Sequence, residues 1–136
     1  MGLNLWGYPR TGKTRTLFLV LKKAHFAGKR IKFFGPSQFS QECELRNFKS
    51  ASWIRDVVAC DIVAFDDIDK CLLTKVQEDR FFSVLDARVA RRAPTFFTGN
   101  TSGDALKLQF NNGESIVARI REHSASIHFP QQQNLL

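Results

Sequence analysis

Apolar positions along this chain fall into two alternating kinds of stretch. Short unbroken runs at Leu3–Trp6, Ile31–Phe34, Ile62–Phe65, Thr95–Thr98 and Ser126–Phe129 predict five strands. Between them, apolar residues recur at three- and four-residue spacing. Leu17, Val20, Leu21 and Ala24 predict a helix over residues 13–27, its stripe broadened by Phe18 and Leu19, with Gly28 suited to the position just past its end. Ser37 can cap a short helix running to about Arg46. Ser50 or Ser52 can cap another, with Trp53, Ile54, Val57 and Val58 on one face. Phe81, Val84, Leu85 and Val89 predict a helix over 75–91 that ends in the basic group Arg88, Arg91 and Arg92 and is closed by Pro94. A loop is expected from Gly99 through Gly113, then a helix over 114–123 with Ile116, Val117 and Ile120 inward. Ile62–Phe65 carries no polar interruption, as expected for a strand covered on both faces of a parallel sheet. Strands alternating with helices in this way predict an α/β sandwich.

The first strand runs directly into Gly7-Tyr8-Pro9-Arg10-Thr11-Gly12-Lys13-Thr14, followed by Arg15 at the start of the first helix. This matches the phosphate-binding pattern G-x-x-x-x-G-K-[ST] in its required setting of strand, loop and helix. Glycines let backbone N–H groups converge on an anion, and the free N–H groups of a helix start point the same way. Lys13 is placed to reach the β- and γ-phosphates, and the Thr14 hydroxyl to ligate Mg²⁺, which takes oxygen donors. The chance alternative, an ordinary glycine turn, loses ground because a second motif agrees with it.

That motif is Ile62-Val63-Ala64-Phe65-Asp66-Asp67, an apolar strand ending in two acids. In parallel sheets the carboxyl ends of the strands face a common crevice, which places Asp66 beside the glycine loop and suits it to hold Mg²⁺ through water. Asp67 is then positioned to orient or deprotonate a water attacking a γ-phosphate. The competing reading is a polar turn and helix cap. Asn100 follows the fourth strand at the same edge, where its amide can bind both the water and a phosphate oxygen, although Gly-Asn-Thr-Ser-Gly is also a turn sequence in its own right. Arg119 and Arg121 lie on the last helix. Either is an arginine finger for a neighbouring subunit's nucleotide, or a solvated charge or salt bridge with Glu122.

Length and charge narrow the class. A chain of 136 residues suits one domain, read as a core over 1–130 and a polar tail over 131–136. The 13 Phe point to a core rich in aromatic rings. No run approaches the roughly 20 apolar residues of a membrane span. No signal-peptide pattern opens the chain, and the immediate entry into a strand suggests upstream sequence that is missing or sits on another chain. Cys43, Cys60 and Cys71 have no C-x-x-C spacing, which fits reduced thiols and argues against zinc. A net charge of +7 favours an acidic partner, most simply nucleic acid, with Lys22, Lys23, Arg91 and Arg92 available for phosphates.

Phosphate loop, strand-acid pair, polar residue after the next strand and arginine in a terminal helix come in the order of the AAA+ ATPases. Within them the chain resembles the bacterial helicase loaders, the DnaC and IstB-like proteins. The resemblance covers nearly the whole chain and rests on Gly7–Thr14, Phe65-Asp66-Asp67, Arg91–Asn100 and Ile116–Ile120. It implies a P-loop NTPase three-layer α/β/α sandwich with a five-stranded parallel sheet. It also implies ATP and Mg²⁺, Asn100 as sensor 1, and Arg119 as the finger with Arg121 as the fallback. Assembly into rings or spirals that act on single-stranded DNA or a replication helicase follows from it, as does a bacterial or phage-host cytoplasmic setting. Three features depart from the family pattern: Arg10 stands where loaders usually carry Gly, Tyr8 where Pro or Ala is common, and Asp67 where many AAA+ enzymes carry Glu. No lid with a sensor 2 follows residue 129. The alternatives from other classes are a superfamily 3 viral helicase domain and a nucleotide-gated binding module with little catalysis. A small-molecule kinase is disfavoured because no Arg-rich substrate lid follows the third strand. The lack of N-K-x-D after an apolar strand disfavours a GTPase.

Overall fold

The computed structural model describes residues 2–46 and 50–132. Five strands, β1 (Gly2–Gly7), β2 (Ile31–Phe34), β3 (Ile62–Phe65), β4 (Thr95–Gly99) and β5 (Ser124–Phe129), form one sheet in the order β2-β3-β4-β1-β5. Every neighbouring pair is parallel. The helices are α1 (Lys13–Phe26), α2 (Gln38–Leu45), α3 (Ser50–Ala59), α4 (Lys75–Ala90), α5 (Gly103–Leu106) and α6 (Gly113–His123), with a 3₁₀ turn at Ile68–Lys70.

The handedness of parallel crossovers explains the layering. A right-handed connection from β1 to the far edge at β2 lays α1 on one face. The returning path through β3 and β4, and past β1 to β5, runs the opposite way and lays the other helices on the second face. Two cores result. Leu17 and Leu21 of α1 pack on Leu5, Ile62, Ala64 and Phe96. On the opposite face Trp53, Val57, Phe81, Val84, Leu85, Ile116, Val117 and Ile120 pack on Phe34, Val63, Phe65 and Phe97. The phenylalanines form a ladder across three strands. Phe34 pairs in register with Phe65, and Phe65 with Phe97, with rings stacked at 5.2 and 5.7 Å. Phe81 of α4 meets Phe65 edge-on at 4.9 Å. Such pairs add about 0.5–1.5 kcal/mol each beyond their buried area. This rung ends β3, directly before Asp66.

Several sequence expectations need correcting. Of the three arginines at the basic end of α4, Arg88 is fully buried, because helical spacing from Phe81, Val84 and Leu85 turns it inward between α3 and the sheet. The stretch after β4 is not all loop. Ser102 caps α5 by accepting the Ala105 N–H, and Leu106 of α5 enters the core. Ser37 precedes α2 without a side-chain cap. Ser52 lies inside α3, and the side chain of Ser50 lies outside the described residues, as do residues 133–136 of the tail. A capping box of Thr74 and Gln77 starts α4, a signal the sequence carried and that went unread. No described helix is long and apolar enough to cross a membrane.

Candidate functional site

The strand order puts β1 beside β4, and their outgoing connections leave on opposite faces. A crevice opens at such a switch point. The glycine loop occupies it. Gly7, with φ +138°, lies so close to β5 that a Cβ there would collide with the Phe129 carbonyl oxygen. Gly12, with φ +93°, is the N-cap of α1 and accepts the Thr16 N–H at 2.9 Å. Arg10 also takes the left-handed conformation, with φ +59°, which costs an L-residue roughly 1–2 kcal/mol. The position where the loaders carry Gly is therefore one whose backbone favours Gly.

Lys13 is 5% exposed and folds back over its own loop. Its Nζ donates to the Gly7 carbonyl at 3.0 Å, to the Tyr8 carbonyl and to Thr11 Oγ1 at 3.4 Å. Burial lowers its pKa from the usual lysine value, partly opposed by the carboxylates of Asp67 and Asp69. Thr14, one residue on, donates its hydroxyl to Asp66 Oδ1 at 3.0 Å. The same Oδ1 accepts the Thr98 hydroxyl at 2.5 Å, and Thr98 in turn accepts the Asp67 N–H at 2.8 Å. A buried threonine of β4 thus ties both acids together.

Asp67 has φ +51° and opens the 3₁₀ turn. Burial raises the pKa of its carboxyl above the ordinary aspartate value. Asp66 adds to the rise, and Lys70, 4.0 Å from Oδ2, opposes it. The turn is fastened to β4 through Asp69 Oδ1, which accepts the Asn100 N–H at 3.1 Å. Arg10, Lys13, Thr14 and Arg15 on one side, with Asp67, Lys70 and Asn100 on the other, line a cleft of about 420 Å³. Its rim holds four cations against Asp67, a balance suited to an anion.

Thr14 Oγ1 and Asp66 Oδ1 fit a magnesium site. Both are oxygens, the donor type Mg²⁺ takes, and they meet across a 3.0 Å hydrogen bond, with Asp66 expected to reach the ion through water.

Twelve of the thirteen residues proposed from sequence lie in the loop, on the first turn of α1 or on the strand-end wall facing them. Arg119 does not. Its Nε donates to Asp86 Oδ1 at 2.9 Å, Nη1 donates to the Ser115 carbonyl, and the guanidinium lies 4.5 Å over the Phe82 ring. Arg121, the fallback, pairs with Asp104 at 3.3 Å. Neither pairs with Glu122, and neither lines the cleft. Three contributors were missed: Thr98, Asp69 and Lys70. The signal for Thr98 was a hydroxyl in an otherwise apolar buried strand, two residues before Asn100.

No family model matches the sequence, and no curated protein matches it. Solved structures do. A crystal structure of the DnaC helicase loader superposes with a TM-score of 0.82 at 22% identity, over 94% of this chain and 77% of that one. The replication initiator DnaA bound to AMPPCP and single-stranded DNA gives 0.82 at 16% identity, over 96% of this chain and 41% of that one. DnaA of Aquifex aeolicus, bound to AMPPCP, gives 0.81 at 16% identity, over 93% and 39%. The chain shares the five-stranded parallel α/β fold of these structures, the fold expected of an AAA+ core. It spans well under half of the initiator chains and about three quarters of the loader.

Proposed function

We propose that this AAA+ domain binds and hydrolyses ATP as a nucleotide-driven switch in an oligomeric replication assembly of the helicase-loader kind, acting on single-stranded DNA or a replicative helicase. The observation that supports it most is the chain of contacts Thr14–Asp66–Thr98–Asp67, which sets a metal-suited oxygen pair and a raised-pKa carboxylate on the wall facing Lys13. Loop N–H groups and Lys13, released from the Gly7 and Tyr8 carbonyls, hold the β- and γ-phosphates. Tyr8, Pro9, Arg10, Thr11, Gly12 and Arg15 shape that cradle. Mg²⁺ on Thr14 and Asp66 would supply charge neutralisation at the phosphate oxygens. Asp67 orients a water and accepts its proton as the oxygen attacks the γ-phosphorus. The bond to the bridging oxygen breaks, leaving its electrons on ADP. Asn100 fixes the water and a γ-oxygen. Arg119 serves a neighbouring subunit after leaving Asp86.

The test is ATP hydrolysis against protein concentration, with and without single-stranded DNA. Specific activity that rises with concentration and again with DNA supports shared sites. Turnover unchanged in Lys13→Ala refutes the cleft assignment. ATP binding without turnover at any concentration favours the nucleotide-gated module instead.

A further inference from the structure

The cleft contains a cation that neither the glycine loop nor a neighbouring subunit provides. Lys70 ends the 3₁₀ turn after β3, on the wall that also carries Asp67 and Asn100. The turn beneath it is braced on several sides. Ile68 is buried at 4% exposure. Gln109 donates its amide to the Ile68 and Cys71 carbonyls at 2.8 and 2.9 Å. The Lys70 N–H returns to the Asp67 carbonyl at 2.9 Å, and Asp69 holds the Asn100 N–H. The ammonium, by contrast, is held loosely. Its side chain is 58% exposed, and the recorded ion pair, to Asp67, stands at 4.0 Å, the outer limit of such a contact. An exposed pair of that length contributes little. The result is a rigid base carrying a mobile positive charge at the mouth of an anion-suited cleft.

From this arrangement we infer that Lys70 contacts the γ-phosphate in cis, so that one isolated subunit distinguishes a nucleoside triphosphate from a diphosphate. The inference rests on reading the cleft as a triphosphate site. The charge logic is direct. Lys13 sits inside the loop and is shared by β- and γ-groups, whereas Lys70 reaches from the wall with Asp67 and Asn100, where only a terminal phosphate can meet it. A γ-phosphate carries more negative charge than the single Asp67 carboxylate and draws the ammonium off it. That transfer also uncovers Asp67 Oδ2 for a water molecule, so arrival of the triphosphate exposes the base that the reaction needs. Arg119 does not supply this charge within the chain, being engaged by Asp86 and Phe82.

The experiment measures binding of a non-hydrolysable ATP analogue and of ADP, with Mg²⁺, at protein concentrations where the chain is monomeric. Lys70→Met is expected to weaken the ATP analogue at least tenfold while changing ADP affinity less than twofold. Lys70→Arg is expected to restore most of the preference, and the melting temperatures of both variants should match the parent. Equal loss for the two nucleotides would mean that Lys70 only supports the turn, and no loss for either would make it a surface charge; both overturn the inference and leave the triphosphate reading standing. If the parent chain binds neither nucleotide, and Lys13→Met changes nothing, the reading of the cleft fails and the inference fails with it.

Discussion

Replacing Arg88 with methionine, a chain of similar length and no charge, should be among the most damaging single changes in this protein. The guanidinium is wholly buried, forms no ion pair among the described residues, and is surrounded by six oxygens. Nη1 donates to the carbonyls of Val57, Val58 and Cys60 at 3.3, 2.9 and 2.7 Å. Nη2 donates to Asp61 and Pro94 at 3.3 and 2.8 Å, and Nε to the Thr95 hydroxyl at 2.9 Å. Three of these carbonyls close the C-terminal end of α3, where a cation also opposes the negative end of the helix dipole. Burial lowers the guanidinium pKa to about 10, so it remains charged at neutral pH. The three short bonds to main-chain carbonyls, at about 1.5–3 kcal/mol each for a charged donor, give a gross loss of about 5–9 kcal/mol. Recovering the desolvation of the guanidinium returns part of that, leaving about 3–5 kcal/mol, at the high end for a single substitution. For a domain of this size that corresponds to a fall of roughly 10–20 °C in melting temperature. Urea unfolding followed by far-UV circular dichroism would read it as a lower midpoint at unchanged slope. Arg88→Lys should recover only part, since one ammonium cannot span the same fork of acceptors. A loss below about 1 kcal/mol for Arg88→Met would refute the view that this guanidinium pins α3, β3 and β4 together.

Other expectations follow from the site. Asp67 has a raised pKa, so the folded state holds its proton to higher pH than the unfolded chain does, and stability contributed there is lost as pH rises through that window. Asp67→Asn should therefore raise the melting temperature at neutral pH, keep nucleotide affinity and abolish turnover; the acid limb of the parent's rate profile should lie above the ordinary aspartate range, which a pH series would check. Thr98→Val keeps shape but removes the hydroxyl shared by Asp66 and Asp67, and should lower turnover by roughly 10–100-fold with nucleotide affinity less affected, as is typical when a ligand's outer-shell partner is lost. Arg10→Gly should relieve about 1–2 kcal/mol of backbone strain, against about 0.4–1 kcal/mol of added freedom in the unfolded chain. The net effect is a small rise in stability, measurable by thermal melting.

The legible parts of this molecule are those where backbone chemistry dictates residue type. Gly7 and Gly12 are required by a close approach and a left-handed turn, and Ile62–Phe65 by burial on both faces, so loop, strand and acids could be read in line. Strand count and the helices α1, α4 and α6 followed from period alone. What escaped depends on partners far away in sequence. Nothing around Arg88 announces that the end of α3, some 30 residues earlier, needs its carbonyls filled. Thr98 looks like any strand threonine until β3 brings Asp66 beside it, and Lys70 like any turn lysine until β1 brings the loop across from it. Arg119 was legible as an arginine on an exposed helix face, but its tie to Asp86 needed the packing of α6 on α4.

Strand order also governs when the molecule can be completed. β1, which leads into the glycine loop, precedes the other four strands of the sheet, yet its two neighbours are β4 and β5, residues 95–129. β1 has neither neighbour until residues 95–129 have followed it, while β2 and β3 can pair with each other much earlier. Pairings this distant in sequence slow folding. The Leu3–Trp6 segment waits unpaired until then, a period in which exposed apolar strands are prone to aggregate. The wall of the cleft comes from the ends of β3 and β4, so a ligand held there meets its full set of contacts only in the finished fold and cannot guide the early steps.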